Sequence, residues 1–106
     1  MERNEKIELR IKELAALFFG RESNRTALIT VTRVVVADRG RSAMIYVTVL
    51  PESAEAGALS FAKRKRAELR EFVKEQLNIH PIPFLDVTID SGEKARHTID
   101  VLLKEE

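Results

Sequence analysis

Four consecutive basic residues, Lys63, Arg64, Lys65 and Arg66, interrupt a segment whose apolar residues otherwise follow the spacing of one long helix. Successive residues of an α-helix point about 100° apart, so four neighbours face every side, and at least one points inward unless the chain bends there. A bend would expose all four cations together, which predicts phosphate contacts with a polyanion, RNA in particular. Without a bend, the run is an ordinary solvated basic surface of a helix.

Residues that could support catalysis are sparse. His80 and His97 have neither a cysteine nor a carboxylate pair at the spacing of a metal site. The serines at positions 42, 53, 60 and 91 lie in no nucleophile elbow, and the glycines form no phosphate-binding loop. The residues therefore give little support to catalysis, in particular to acyl transfer or nucleotide hydrolysis, and they offer no metal site; we expect no small-molecule substrate.

The composition is that of one globular domain covering residues 1–106, with 44% apolar and 33% charged residues. The net charge is only +1, so any electrostatic attraction must act locally. There is no cysteine, the beginning of the chain is unlike a signal peptide, and no apolar run approaches the roughly 20 residues that cross a bilayer. We therefore expect a cytoplasmic protein that does not span a membrane.

The elements that position the basic run begin with an amphipathic helix over residues 3–19, which Gly20 is expected to terminate. Its apolar residues are Ile7, Ile11, Leu14, Ala15 and Phe18. Residues 28–36 and 43–50 are rich in Val, Ile and Thr and predict a hairpin whose turn spans residues 38–41. Arg33 interrupts the first strand and marks either an exposed sheet face or a bulge.

After Pro51, an apolar stripe predicts the long helix that carries the basic run, followed by a proline-rich loop and a third strand over residues 84–90. The stripe consists of Leu59, Ala62, Leu69, Phe72, Val73 and Leu77. Asp90 and Glu93 fit a capping box that begins a final helix. That helix would use Ala95, Thr98, Ile99, Leu102 and Leu103 as its apolar side. The predicted order is α-β-β-α(bent)-β-α, a two-layer α+β domain with helices on one face of a three-stranded sheet.

Several short motifs, taken in order, are similar to those of a known family. Residues 43–50, Ala-Met-Ile-Tyr-Val-Thr-Val-Leu, look like its second-strand signature, and Thr30, Val31 and Val34 match the strand before. Later matching positions are Arg70, Pro83, Leu85, Val87, Asp90, Ile99, Leu102 and Leu103. Together these positions resemble the ribosome-binding factor A family over nearly the whole chain.

The resemblance implies a type II KH-like fold without enzymatic activity or cofactor. It also implies a protein that binds precursors of the small (30S) ribosomal subunit, contacts 16S ribosomal RNA, assists RNA processing and late assembly, and is linked to cold adaptation. The family lacks the GxxG loop of ordinary KH domains, as this sequence does. It bends its long helix at an Ala-x-Gly motif, whose counterpart here, Lys65-Arg66-Ala67, has no glycine. The helix could therefore run straight, or bend because of the four cations.

The candidate RNA-binding residues are Lys63, Arg64, Lys65 and Arg66, supported by Arg70 one turn further along. Arg33, Arg39 and Arg41 are second-rank candidates, because the sequence does not indicate whether they share a surface with the basic run. Neutralising about four phosphates predicts a slope of log affinity against log salt of roughly −3 to −4.

Two other functions fit parts of the sequence. A free-standing KH-like domain that binds single-stranded RNA would share the basic bend, but such domains use a Gly-rich clamp and more exposed aromatic residues. A protein-interaction module resembling the BolA family would use His97 as a metal ligand together with a partner's thiolates. We expect a monomer, although a sheet edge or the first helix could pair with a second copy.

Overall fold

The computed structural model describes residues 2–22 and 27–93. Its helices are α1 (Glu2–Glu22), α2 (Glu55–Arg64) and α3 (Arg66–Gln76). Its strands are β1 (Leu28–Ala37), β2 (Ser42–Leu50) and β3 (Phe84–Ile89). The order α-β-β-α(bent)-β predicted from the sequence is therefore confirmed over the described residues, with each strand boundary within one residue of its prediction.

α1 is an amphipathic helix that extends past the glycine expected to end it. Ile11, Ala15 and Phe19 are at most 1% exposed and form its core-facing side. The prediction that Gly20 terminates the helix is wrong, because the helix continues to Glu22 and the φ of Gly20 is not positive. The guanidinium of Arg21 lies 5.7 Å from the ring centroid of Phe72, a cation–π contact that favours the additional helical residues.

The three strands form one mixed sheet with β2 in the centre, antiparallel to β1 and parallel to β3. The register between β1 and β2 shifts after Val31, which pairs with Val47, because the next paired residues are Arg33 and Tyr46. Thr32 is thus an additional residue in β1, the signature of a β-bulge. Arg33 is also on an exposed face, since 57% of its side chain is accessible, so both possibilities left open by the sequence are present.

Helices cover one face of the sheet, as predicted. Along β2, residues pointing toward the helices are buried and alternate with half-buried residues on the opposite face. The buried residues of the sheet are Val31, Val34, Val36, Ala43, Ile45, Val47, Val49, Leu85 and Val87. The second face, which we call the open face, carries Arg33, Met44, Tyr46 and Asp86.

The predicted long helix is divided at Lys65, where α2 ends and α3 begins. Lys65 has φ −92° and ψ 4°, outside the helical region. On either side of it the apolar stripe is continuous, with Ala58 and Ala62 buried in α2 and Leu69 and Val73 buried in α3. The bend therefore forms without the glycine of the family that the sequence resembles, and it forms inside the run of cations.

A turn of unusual backbone geometry joins β1 to β2. Asp38, Arg39 and Gly40 have φ values of 54°, 56° and 86°, so all three lie in the left-handed region. Glycine and aspartate adopt this region more readily than arginine does. The predicted turn over residues 38–41 is confirmed.

The chain after β3 begins as the capping box predicts. Asp90 accepts a hydrogen bond from the backbone N–H of Glu93 at 3.0 Å, and residues 91–93 are helical. The remainder of the predicted final helix, and His97 within it, lie outside the described residues.

Candidate nucleic-acid interface

The basic bend, which we define as residues 63–66, reaches around the edge of the sheet to β3. A guanidinium nitrogen of Arg66 donates to Asp86 at 3.1 Å, and the ammonium of Lys63 lies 3.6 Å from the same carboxylate oxygen. Arg66 also donates to the main-chain carbonyl of Lys63 at 2.9 Å. Asp86 thus holds two cations from opposite sides of the bend at one point of the open face.

The other two cations of the basic bend have different partners. The ammonium of Lys65 lies 3.4 Å from Glu68, and 31% of its side chain is accessible. Arg64 donates to the hydroxyl of Ser60 at 2.9 Å. Among the described residues, Arg64 is the member of the basic bend that has no carboxylate partner. All four cations are at least partly accessible to solvent, as predicted for a helix that bends at this run.

Arg70, one turn beyond the bend, is half-buried. Its guanidinium donates to the carbonyls of Ile82 and Pro83 at 2.9 and 3.2 Å. The same guanidinium lies 4.7 Å from the ring centroid of Phe84. Arg70 therefore fixes the loop before β3 against α3, while its remaining N–H donors stay available to a ligand.

A groove of about 1100 Å³ joins the basic bend to the open face. Lys63, Arg64, Arg66 and Arg70 line it from the helices, and Tyr46 lines it from the sheet. The other lining residues are Val35, Ala37, Ser42, Ala43, Met44, Ala67, Glu71, Phe84, Leu85 and Asp86. The tertiary structure therefore brings four of the five first-rank candidates into one concave surface.

Arg33 lies on the same face as Tyr46, with its guanidinium 4.0 Å from the ring centroid. It also lies 3.6 Å from the carboxylate of Asp90, which is buried and accepts a hydrogen bond of 2.6 Å from Thr32. The side chains of Arg39 and Arg41 are exposed at the hairpin turn and do not line the groove. The main-chain carbonyl of Arg41 accepts a hydrogen bond from the N–H of Phe84 at 2.8 Å, which places the turn beside the start of β3.

The electrostatics of the groove are dominated by Asp86. Its partial burial by itself raises the pKa of the carboxyl group. The hydrogen bond from the N–H of Val87 and the charges of Lys63 and Arg66 oppose this and together hold the pKa of Asp86 below its ordinary value of 3.8. Asp86 is therefore ionised at neutral pH and competes with any bound phosphate for the two cations.

No group of three or more potential metal ligands occurs within residues 2–22 and 27–93, where His80 is an exposed loop residue. None of the described helices combines the length and the apolar character needed to cross a membrane.

Asp86 and Phe84 were not identified from the sequence, although both shape the groove. An isolated carboxylate and a single phenylalanine at the start of a strand carry no periodic signal. Only the pairing of β3 with β2, and the position of the bend beside that edge, gives them their neighbours.

The described elements define an α+β domain of the KH-like type with a cationic groove at the helix bend. Among solved structures, the chain has the fold of ribosome-binding factor A. The crystal structure of this factor from Thermus thermophilus matches with a TM-score of 0.73 and 22% identity, over 81% of this chain and 94% of that chain.

Two further structures have the same fold. Coordinates of Thermus thermophilus ribosome-binding factor A fitted into the cryo-EM map of a 30S complex match with a TM-score of 0.69 and 23% identity, over 78% of this chain and 90% of that one. A solution structure of a Thermotoga maritima protein, a candidate ribosome-binding factor A, matches with a TM-score of 0.68 and 22% identity, over 81% and 85%. No protein-family profile and no curated protein sequence matches the chain. The fold class predicted from the sequence is confirmed.

Proposed function

We propose that this chain binds the small ribosomal subunit during its maturation and contacts 16S ribosomal RNA through the basic bend. The observation that carries the proposal is the combination of the ribosome-binding factor A fold with four cations gathered at the helix bend. Coordinates of one protein of this fold have been fitted into a 30S complex. The proposed activity is binding that assists RNA processing and late assembly.

The local charge supports an RNA partner. The whole chain has a net charge of only +1, yet Lys63, Arg64, Arg66 and Arg70 line one groove together with two carboxylates, Asp86 and Glu71. Such a concentration of cations on a nearly neutral protein favours a phosphate backbone at that surface. The proposal extends to a cytoplasmic monomer without catalytic activity or cofactor, and to a role in cold adaptation.

The test is co-sedimentation of the purified chain with precursor and mature small subunits over a series of salt concentrations. The site variant is K63Q/R64Q/K65Q/R66Q, and the matched control is K6Q/R10Q/K12Q/K74Q, which removes the same charge from other parts of the surface. We expect the site variant to lose binding and the control to retain it, with a wild-type salt slope of roughly −3 to −4.

The alternative results separate the parts of the proposal. Binding that survives in the site variant would keep the ribosomal partner and reject the basic bend as the contact surface. Binding to free single-stranded RNA that equals the binding to subunits would favour a free-standing RNA-binding domain. Absence of binding to either particle by the folded protein would reject the ribosomal function.

A further inference from the structure

Phe84 is exposed at the place where the groove meets the start of β3. Phe84 is 70% accessible, more than any other large hydrophobic residue of the described chain. Burying a phenylalanine ring stabilises a folded protein, and this largely exposed ring forgoes most of that contribution. An isolated exposed ring is common on protein surfaces. Phe84 differs, because a guanidinium lies against its ring and cations line the groove beside it.

The first of these neighbours is Arg70. Its guanidinium lies 4.7 Å from the ring centroid of Phe84 and is held there by the carbonyls of Ile82 and Pro83. A fixed guanidinium beside an aromatic ring is a stacking surface whose conformational entropy is already lost before a ligand binds. Nucleobases stack on aromatic rings and on guanidinium planes.

The cations of the basic bend are the second group of neighbours. Lys63, Arg64 and Arg66 line the same groove as Phe84, so a base on the ring would have its own phosphates beside these side chains. A cationic groove combined with an aromatic stacking surface is the arrangement by which proteins hold unpaired strands. A base inside a duplex has both faces stacked on its neighbours and cannot use such a ring.

We infer that Phe84 and Arg70 form a stacking platform for an unpaired base, so that the groove takes a single-stranded segment of RNA and not a duplex. This inference rests on the proposed function and specifies the class of RNA that the site accepts. It also gives Arg70 a positioning role, because Arg70 orders the ring and the loop before β3.

Tyr46 extends the same surface. In the parallel register Phe84 lies opposite Ser42, and Tyr46 is four residues further along β2, which is about 13 Å at the rise of an extended strand. The guanidinium of Arg33 lies 4.0 Å from the ring centroid of Tyr46, just as the guanidinium of Arg70 lies beside the ring of Phe84. The two rings are too far apart for one base, so they contact different nucleotides of the bound segment.

The test measures the affinity of the full chain for a mixed-sequence RNA of about 10 nucleotides, within the length range of single-strand sites, and for the same strand annealed to its complement. The variants are F84A, the conservative F84W and the control L28A, since Leu28 is also exposed, at 62%, but does not line the groove. We expect F84A to weaken single-strand binding by about 5- to 150-fold, with F84W and L28A close to wild type. Duplex binding and the salt slope should not change in F84A, because no charge is removed.

A second readout reports on folding and on the second ring. Tyr46 is the single tyrosine of the chain, so its ring resonances are unambiguous in NMR spectra. Saturation with the single strand should shift them, while the spectrum of free F84A should otherwise match that of the wild type.

Three results would overturn the inference. Equal losses of single-strand affinity in F84A and L28A would reject a specific role of the ring. So would wild-type protein that binds the duplex as tightly as the single strand, or more tightly. Normal RNA binding by F84A combined with loss of subunit binding would assign Phe84 to a protein contact. Failure of the wild type to bind either RNA would instead count against the RNA contact in the proposed function.

Discussion

Asp86 accepts a hydrogen bond from Arg66 at 3.1 Å, although the two residues belong to different layers of the domain. Arg66 begins α3 on the covered face of the sheet, and Asp86 points from β3 to the open face. The contact is possible because β3 is an edge strand and the helix bend lies beside that edge. The contact holds the side chains of Arg66 and Lys63, which belong to the helical layer, at the open face of the sheet, where Tyr46 and Phe84 lie.

The residues of the basic bend are expected to contribute unequally to RNA affinity. Arg64 donates to the Ser60 hydroxyl, whereas Arg66 shares its charge with Asp86. A phosphate must displace Asp86 to gain the full charge of Arg66, but it meets no such competitor at Arg64. We predict that R64Q lowers RNA affinity more than R66Q does and reduces the salt slope by about 0.7–0.9. Titrations at several salt concentrations measure both quantities, and equal effects of the two substitutions would contradict the prediction.

Removing the competing carboxylate should strengthen binding. D86N leaves a side chain of similar size but eliminates the negative charge between Lys63 and Arg66. We expect RNA affinity to rise by about two- to fivefold at low salt, the size of an exposed ion-pair effect, and the gain to shrink as salt increases. E13Q, which removes an exposed carboxylate paired with Arg10 on α1, is the matched control and should have a smaller effect. A loss of affinity in D86N would mean that Asp86 mainly orients the two cations.

The same carboxylate makes stability depend on pH in the acid range. The pKa of Asp86 is lower in the folded protein than its ordinary value of 3.8, so its ionisation stabilises the fold above that pH. This contribution is lost as pH falls from the ordinary value through the lowered one. Unfolding by denaturant should therefore show wild type more stable than D86N near neutral pH, with the difference disappearing in acid as the pH falls through the lowered pKa. A difference that persists unchanged in acid would contradict the lowered pKa.

Asp90 is expected to matter for stability more than for binding. It is 5% exposed, accepts a hydrogen bond of 2.6 Å from Thr32, and caps the turn that follows β3. We predict that D90A lowers the free energy of unfolding by about 2–4 kcal/mol, because a cap and a charged hydrogen bond are lost together. T32V should lower it by about 1–3 kcal/mol, because the carboxylate of Asp90 loses one of its hydrogen bonds.

Chemical denaturation measures both values, and S91A, at an exposed neighbouring position, is the control. A change below about 0.5 kcal/mol in D90A, the size of an ordinary surface substitution, would show that the cluster does not stabilise the fold.

Introducing glycine at position 67, where the similar family has it, should not stabilise the bend. The helix is already interrupted at Lys65, one residue before α3 begins, and Ala67 lies within α3. We predict that A67G lowers stability by about 0.5–1 kcal/mol, the usual cost of glycine in place of alanine in a helix, with RNA affinity unchanged. Thermal unfolding and RNA titration test the two parts separately. Stabilisation by A67G would indicate that the bend is strained in this chain.

The sequence by itself determined the local elements within the described residues and the position of the helix bend. Alternating and helical periodicities report which side of a segment faces the core, and four adjacent cations cannot all avoid a buried helix face unless the helix bends. Those arguments located the strands within one residue and placed the interruption inside residues 63–66, where Lys65 has the non-helical ψ of 4°. They missed the true end of α1, because the contact of Arg21 with Phe72 joins residues far apart in the chain.

Only the tertiary structure decided the composition of the groove. Lys63 and Arg66 share one partner on β3, Asp86, which lies 20 residues after Arg66 in the chain. The pairing of β3 with β2 sets the register that places Asp86 and Phe84 near them. Side-chain periodicity carries no information about which strand edge a helix bend approaches. The gathering of Tyr46, Phe84 and the cations into one surface depends on that approach, because it follows from the packing of two layers and not from any single segment.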